Sequence, residues 1–162
     1  MSRLDSFIRR LSAQRDILDA VSETIGADIP GPALELGLGN GRTYHHIRER
    51  FPGRRVIAFD RSVNAHGSSI PAEGDIVVGE IRDTARAFIG IDAALVHADI
   101  GTGYPDKDAV TLTWLPQLIA GLLAPGGMAV SGLPLDHPDL RACALPPTVK
   151  EGRYFIYKKI KT

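Results

Sequence analysis

The sequence has little cysteine, no excess charge of either sign and few aromatic residues. Cys143 is its single cysteine, which excludes an intrachain disulfide and a zinc site built on several thiolates. The 19 lysine and arginine residues balance 19 aspartate and glutamate residues, so the chain has no general attraction for nucleic acid or anionic membranes. Aromatic residues, at 6%, are too sparse to interleave with the basic ones as in a nucleic-acid patch. No apolar run approaches the roughly 18 residues of a membrane helix.

The N-terminal residues are too charged for a signal peptide. Arg3, Asp5, Arg9 and Arg10 interrupt any apolar stretch there, and we therefore expect a cytoplasmic protein. The 162 residues, 44% of them hydrophobic, suit one domain with a sizeable core. We expect that domain to span residues 1–162, with an N-terminal helix over 1–26 and a core over 33–162.

Short apolar strands alternate with helical patterns along the chain. The predicted helices are Ser2–Ile25, Arg42–Phe51, Thr84–Phe88 and Asp108–Leu123. The predicted strands are Ala33–Leu36, Val56–Phe59, Asp75–Val78, Ala93–Val96, Met128–Ser131 and Tyr154–Tyr157, with a partner for the last around Arg141–Leu145. This alternation predicts an α/β fold: a three-layer α/β/α sandwich with a Rossmann-like, mostly parallel, seven-stranded sheet. The last two strands are too close in sequence for a crossover helix, so they are expected to form an antiparallel hairpin.

A glycine-rich loop, Gly37-Leu38-Gly39-Asn40-Gly41, follows the first core strand and opens a helix. Glycines there let the backbone approach a ligand closely, and the free N–H groups of a helix start favour an anion. The dinucleotide fingerprint G-x-G-x-x-G does not fit, because Arg42 stands where its third glycine would be. The spacing is instead G-x-G-x-G, with Glu35 two positions upstream.

The loop and four later features resemble, in order, those of the class I S-adenosylmethionine-dependent methyltransferases. The loop with its preceding acid is similar to the first motif of that family. The later features are Asp60 at the end of the second strand, Gly79-Glu80-Ile81 after the third, His97-Ala98-Asp99 at the end of the fourth, and the turn Leu122–Gly127 before the fifth. The resemblance covers about Leu34 to Ser131 and implies methyltransferase activity on a Rossmann-like fold.

The resemblance also implies how the cofactor S-adenosyl-L-methionine, released as S-adenosyl-L-homocysteine, would be held. Asp60 would accept the ribose hydroxyls, Glu80 would lie near the adenine amine, and the glycine loop would pass under the ribose and methionine. The implied cofactor-binding residues are Glu35, Gly37, Gly39, Asn40, Gly41, Asp60, Gly79, Glu80, Ile81 and His97.

His97 and Asp99 are the candidate catalytic residues. Residues two apart on a strand share a face, so the two side chains could act as base and orienter or bind a metal together. The magnesium-dependent subset of the family also needs a later Asp-Asn pair, which is missing, so no metal is expected. The Asn/Asp-Pro-Pro-Tyr motif of base and amide N-methyltransferases is missing as well. The alternative is that both side chains pack in the cofactor pocket or contact a turn.

Little sequence remains outside the cofactor-binding core to form an acceptor site. The remaining segments are the first helix and the loops near Gly101–Asp106 and Leu133–Asp139, acting alone or with a neighbouring subunit of a homo-oligomer. The first helix would either cover the cleft or pack on a sheet face. We predict a methyltransferase with a small-molecule acceptor and without a nucleic-acid or membrane partner. The alternatives are a non-catalytic S-adenosylmethionine-binding protein and, less favoured, an NAD(P)-dependent oxidoreductase.

Overall fold

The computed structural model describes residues 1–160, in which seven strands form one mixed sheet flanked by helices. The helices are α1 Arg3–Ile25, α2 Arg42–Arg50, α3 Ile81–Thr84, α4 Pro105–Thr111 and α5 Leu115–Leu122. The strands are β1 Ala33–Leu36, β2 Val56–Asp60, β3 Ile76–Val78, β4 Ala93–Ala98, β5 Leu123–Ser131, β6 Leu140–Cys143 and β7 Phe155–Lys159.

The strand order is β3-β2-β1-β4-β5-β7-β6. Strands β1 to β5 are parallel to one another, and β7 is antiparallel to both β5 and β6. The predicted Rossmann-like sheet and its antiparallel C-terminal hairpin are therefore confirmed. The chain leaves β1 towards β2 on one side and later returns to place β4 on the other. A crevice at the carboxyl ends of β1 and β4 follows from this reversal of strand order.

Two apolar cores cover the two faces of the sheet. On one face α1 and α2 pack on the sheet, with Ile17 and Ile47 among the fully buried side chains. On the other face α5 and the 3₁₀ turn Ala85–Phe88 supply residues such as Leu115 and Ile119. Both faces of the central strands are covered, and this explains why β1 is buried at all four positions.

Helix α1 has two halves with different environments. Its start is fixed by a capping box, in which Ser2 and Asp5 bond to each other's backbone N–H groups. The C-terminal half buries Ile17, Leu18 and Val21 against the sheet, whereas Leu4 and Ile8 in the N-terminal half are exposed. The first turns of α1 therefore extend beyond the packed core.

The largest departure from the sequence prediction lies between residues 105 and 131. The single helix predicted over Asp108–Leu123 is in fact two helices, α4 and α5, separated by a turn that ends at Trp114. Pro116 lacks an N–H group and fits only the first turn of a helix, so the second helix begins anew beside it. Strand β5 also starts five residues early, at Leu123, and residues 124–127 bulge between the pairing of Leu123 with Ala93 and that of Met128 with Leu95.

The short helix predicted over Thr84–Phe88 begins earlier than expected. The α-helical turn is α3, at Ile81–Thr84, and residues 85–88 tighten into 3₁₀ geometry. Helix α3 therefore starts directly after Glu80, the residue expected to face the adenine.

Candidate functional site

A cleft of about 740 Å³ lies at the carboxyl ends of the central parallel strands. Its walls come from α1, the glycine loop after β1, the residues after β2 to β4, and α4 with Trp114. This is the position that the reversal of strand order between β1 and β4 predicts for a ligand. The volume is in the range of small-molecule sites.

The glycine loop forms the floor of the cleft with Gly37, Gly39 and Asn40. Gly37 and Gly39 have φ values of 94° and 53°, which disfavour any other residue. A Cβ added to Gly39 would meet no protein atom within 4 Å, whereas one on Gly37 would lie 2.8 Å from the Ile100 side chain. The space beside Gly39 is therefore open, and a ligand can approach its backbone.

Asp60 at the end of β2 holds the glycine loop from the side. Its Oδ2 accepts a 3.0 Å hydrogen bond from the Gly39 N–H, and its Oδ1 accepts one of 2.6 Å from the Arg61 N–H. A carboxylate has about four acceptor positions, so oxygen lone pairs remain for hydroxyl donors in the cleft.

Glu80 and Ile81 line the cleft on the far side of Asp60. The Glu80 carboxylate forms an ion pair with Arg61 at 3.0 Å, and both side chains are more than half exposed. Such an exposed pair contributes little to stability, at most about 1 kcal/mol. The Glu80–Arg61 ion pair therefore affects the charge of the cleft more than the stability of the fold.

Asp99, directly after β4, connects the cleft to the first helix. Its Oδ2 accepts hydrogen bonds from Arg10 Nη2 at 3.2 Å and Gln14 Nε2 at 2.5 Å. Arg10 also donates to the Tyr154 hydroxyl at 3.2 Å, so α1, β4 and the start of β7 meet at one point. Burial raises the pKa of Tyr154, and this hydroxyl remains a neutral partner.

Glu35 and His97 lie beneath the cleft and do not line it. They are paired across β1 and β4, and both are almost completely buried. One Glu35 oxygen bonds the His97 Nδ1, and the other accepts a 2.6 Å hydrogen bond from Thr43 at the start of α2. Contrary to the expectation of direct ligand contact, the side chains of Glu35 and His97 form an internal network below the glycine loop.

Burial and the neighbouring carboxylate act in opposite directions on His97. Burial alone would lower its pKa, but the adjacent Glu35 carboxylate reverses this effect, and the pKa is raised. The Glu35 carboxylate therefore favours the protonated form of the buried imidazole to which it is hydrogen-bonded, and Thr43 links this pair to the cleft wall.

Two of the expected glycines also support the cleft from outside it. A Cβ on Gly41 would lie 2.6 Å from the Ser69 Cβ, and one on Gly79 would lie 2.7 Å from Thr84 Cγ2. Both have positive φ values, 86° and 148°. Gly41 thus permits the loop to pack closely where α2 begins, and Gly79 permits the turn before α3. The structure brings to the cleft Gly37, Gly39, Asn40, Asp60, Glu80, Ile81 and Asp99.

The sequence offered the first helix as a possible cover for the cleft, but it did not indicate which polar residues of the helix line it. Phe7, Arg10, Leu11 and Gln14 line the cleft from this helix. Phe7 and Leu11 are four positions apart in the sequence and therefore share one face of the helix. No local pattern indicated Arg10 or Gln14, because their partner Asp99 lies more than 80 positions away in sequence.

Two further observations concern metals and membranes. Within residues 1–160, no group of three or more histidine, cysteine, aspartate or glutamate side chains is placed to hold a metal ion. None of the helices in that range combines the length and the apolar character needed to cross a bilayer.

Comparison with known proteins identifies the family. A family model described as S-adenosyl-L-methionine methyltransferase matches residues 1–159. The crystal structure of an S-adenosyl-L-methionine methyl transferase from Silicibacter pomeroyi DSS-3 is 40% identical, with a TM-score of 0.89 over 98% of this chain and 99% of that one. No curated protein matches.

More distant structures share the fold alone. Cofactor-bound Rv0187 from MTB is 19% identical, with a TM-score of 0.59 over 90% of this chain and 80% of that one. TrmN from Thermus thermophilus is 17% identical, with a TM-score of 0.64 over 88% of this chain and 48% of that one. The model match over nearly the whole chain and the 40% identical structure decide the assignment: this chain belongs to the S-adenosyl-L-methionine methyltransferase family.

Proposed function

We propose that this methyltransferase acts on a small molecule bound between the glycine loop and α1. The observation that carries this proposal is the position of α1, whose Phe7, Arg10 and Leu11 wall the cleft. The helix forms one wall of a cleft of about 740 Å³. That space suits a cofactor and a small acceptor better than a polymer chain.

The cleft fits S-adenosyl-L-methionine at the residues that the sequence singled out. The open backbone at Gly39 is a cradle that a side chain would fill. The free lone pairs of Asp60 suit the ribose hydroxyls, and Glu80 with Ile81 suits the adenine end. We assign the methionine end to the region of Gly37 and Asp99. A dinucleotide is disfavoured because its fingerprint would require a glycine at Arg42.

The basic residues around α2 support a small acceptor over a nucleic acid. Arg50 forms an ion pair with Asp19 at 2.7 Å, and Arg55 forms one with Asp75 at 2.8 Å. Arg54 donates hydrogen bonds to three backbone carbonyls of the segment before β1. These guanidinium groups have partners inside the protein, so they are poorly placed to bind a phosphate backbone.

The residues of the cleft act mainly by aligning the acceptor with the cofactor. When bound, the cofactor supplies an electrophilic methyl group on a sulfonium. In-line attack of the acceptor on that methyl carbon would break the carbon–sulfur bond and leave its electron pair on sulfur. The chain holds the two reactants in this geometry. We propose that Asp99, oriented by Arg10 and Gln14, attracts the cationic part of the cofactor, and that His97 supports the loop through Glu35.

The test is transfer of a labelled methyl group from S-adenosylmethionine into a cell extract separated by size. We expect label in the metabolite fraction with the intact protein and much less label there with the Asp60→Ala variant. Label in purified tRNA, rRNA or protein, with none in the metabolite fraction, would overturn the small-molecule assignment.

A further inference from the structure

The charges on the cleft wall are unbalanced. Its arginines outnumber its carboxylates by four to three: they are Arg10, Arg42, Arg61 and Arg82 against Asp60, Glu80 and Asp99. S-adenosylmethionine brings two positive groups, its sulfonium and its ammonium, against one carboxylate. A loaded cleft therefore has a clear excess of positive charge, which a neutral acceptor would leave uncompensated and an anionic acceptor would reduce.

Arg42 is the arginine placed to meet such an anion. Arg61 pairs with Glu80, and Arg10 pairs with Asp99. The guanidinium groups of the other two cleft arginines, Arg42 and Arg82, form neither an ion pair nor a hydrogen bond with any part of residues 1–160. Arg82 follows Glu80 and Ile81 at the end assigned to the adenine. Arg42 is the first residue of α2, and its guanidinium lies next to Phe7 of the first helix.

The surroundings of Arg42 also specify the shape of the acceptor. Its guanidinium carbon lies 6.0 Å from the centre of the Phe7 ring, which is itself 44% exposed and lines the cleft. A planar guanidinium next to an aromatic face offers two contacts, an ionic one and an apolar one. A small aromatic acid can use both at once.

The cleft offers few groups that could remove a proton from the acceptor. Within residues 1–160 its lining contains no histidine, lysine, cysteine or tyrosine. Each of its three carboxylates already accepts hydrogen bonds from other residues. An acceptor whose attacking atom is already negatively charged requires no base.

We infer that the acceptor is a small aromatic anion, a carboxylate or an acidic phenol, that binds with its negative charge at Arg42 and its ring against Phe7. The inference rests on the small-molecule function proposed above. The acceptor oxygen forms the bond to the methyl carbon, the electron pair of the broken carbon–sulfur bond neutralises the sulfonium, and no proton is transferred to the protein.

Calorimetry on the S-adenosylhomocysteine complex tests this inference with acid and amide pairs. The probes are salicylate with salicylamide, phenylacetate with phenylacetamide, and indole-3-acetate with indole-3-acetamide. We expect at least one acid to bind tenfold or more tightly than its amide. Arg42→Gln should abolish that preference while the affinity for S-adenosylhomocysteine changes less than twofold. Arg48→Gln, on the same helix but outside the cleft, is the matched control and should keep the preference.

Three results would overturn the inference: no acid binds the complex, the amides bind as tightly as the acids, or Arg42→Gln keeps the preference. Each of these leaves the proposed function intact if a neutral metabolite accepts the label. Failure of the proposed function has a different signature, which is label in RNA or protein instead of in small molecules.

Discussion

Arg10 Nη2 of α1 lies 3.2 Å from Asp99 Oδ2, directly after β4, although 89 positions separate the two residues in sequence. The arginine side chain is 46% exposed, so the ion pair itself contributes at most about 1 kcal/mol. Its importance is positional, because it holds the N-terminal half of α1 over the site. The C-terminal half of the same helix belongs to the core.

The two halves of α1 predict different effects of truncation. Removing residues 1–11 should leave a folded protein, because Ile17, Leu18 and Val21 keep their packing. Its affinity for S-adenosylhomocysteine should fall about tenfold, or about 1.4 kcal/mol, since Phe7 and Arg10 no longer wall the cleft. Circular dichroism and calorimetry measure the two effects.

Further variants distinguish the role of the N-terminal half of α1, which covers the cleft, from that of the C-terminal half, which packs in the core. Removing residues 1–25 exposes apolar groups that each contribute about 1.5–3 kcal/mol and should unfold the protein. Arg10→Gln should weaken binding, whereas Arg9→Gln, at an exposed neighbouring position outside the cleft, should not. Full affinity in the protein that lacks residues 1–11 would show that the N-terminal half does not cover the ligand.

Asp60→Ala should weaken cofactor binding without unfolding the protein. The variant loses the assigned ribose contact and also the bond to the Gly39 N–H. A hydrogen bond to a charged group contributes roughly 1.5–3 kcal/mol, so calorimetry should show a loss of tenfold or more. Asp75→Ala removes a carboxylate that pairs with Arg55 outside the cleft and is the matched control. Equal affinities for the two variants would refute the assignment of Asp60.

Gly39→Val should abolish binding of S-adenosylhomocysteine, because the side chain would fill the open space beside the loop. The positive φ of 53° adds backbone strain of roughly 1–3 kcal/mol. Gly53→Val is the matched control, since Gly53 also has a positive φ and an unobstructed Cβ position but lies in the turn after α2. Both variants should melt at lower temperature, and only the first should lose the ligand. Retained binding by Gly39→Val would mean that the ligand lies elsewhere.

The order of strands and the cofactor loop could be predicted because local patterns determine them. Strand β1 matches its predicted bounds, Ala33–Leu36, since a four-residue segment that is apolar except for Glu35 and lies between a proline turn and a glycine loop has few alternatives. Gly39 and Asp60 reach the cleft because both follow parallel strands, whose carboxyl ends lie at one edge of the sheet.

The role of His97 could not be predicted, because it depends on the register between two strands. Spacing places His97 and Asp99 two apart, but only the pairing of β1 with β4 puts Glu35 beside the imidazole. Strand β4 also extends two residues further than predicted, to Ala98, so His97 is inside the sheet. Asp99 lies beyond the strand end, where Arg10 and Gln14 can reach it.

The Glu35–His97 pair should make stability depend on pH. Folding raises the pKa of His97, so the folded protein holds the imidazole proton more tightly than the unfolded chain does. In the unfolded chain the histidine pKa is about 6.5. The stabilisation is therefore complete below about pH 6.5 and is lost as the pH rises through the folded-state pKa. His97→Gln should flatten this dependence in thermal melts and cost about 3–5 kcal/mol, since it leaves a buried carboxylate without its charged partner. Glu35→Gln with His97→Gln should recover part of the loss, and a double variant as unstable as the sum of the singles would contradict the coupling.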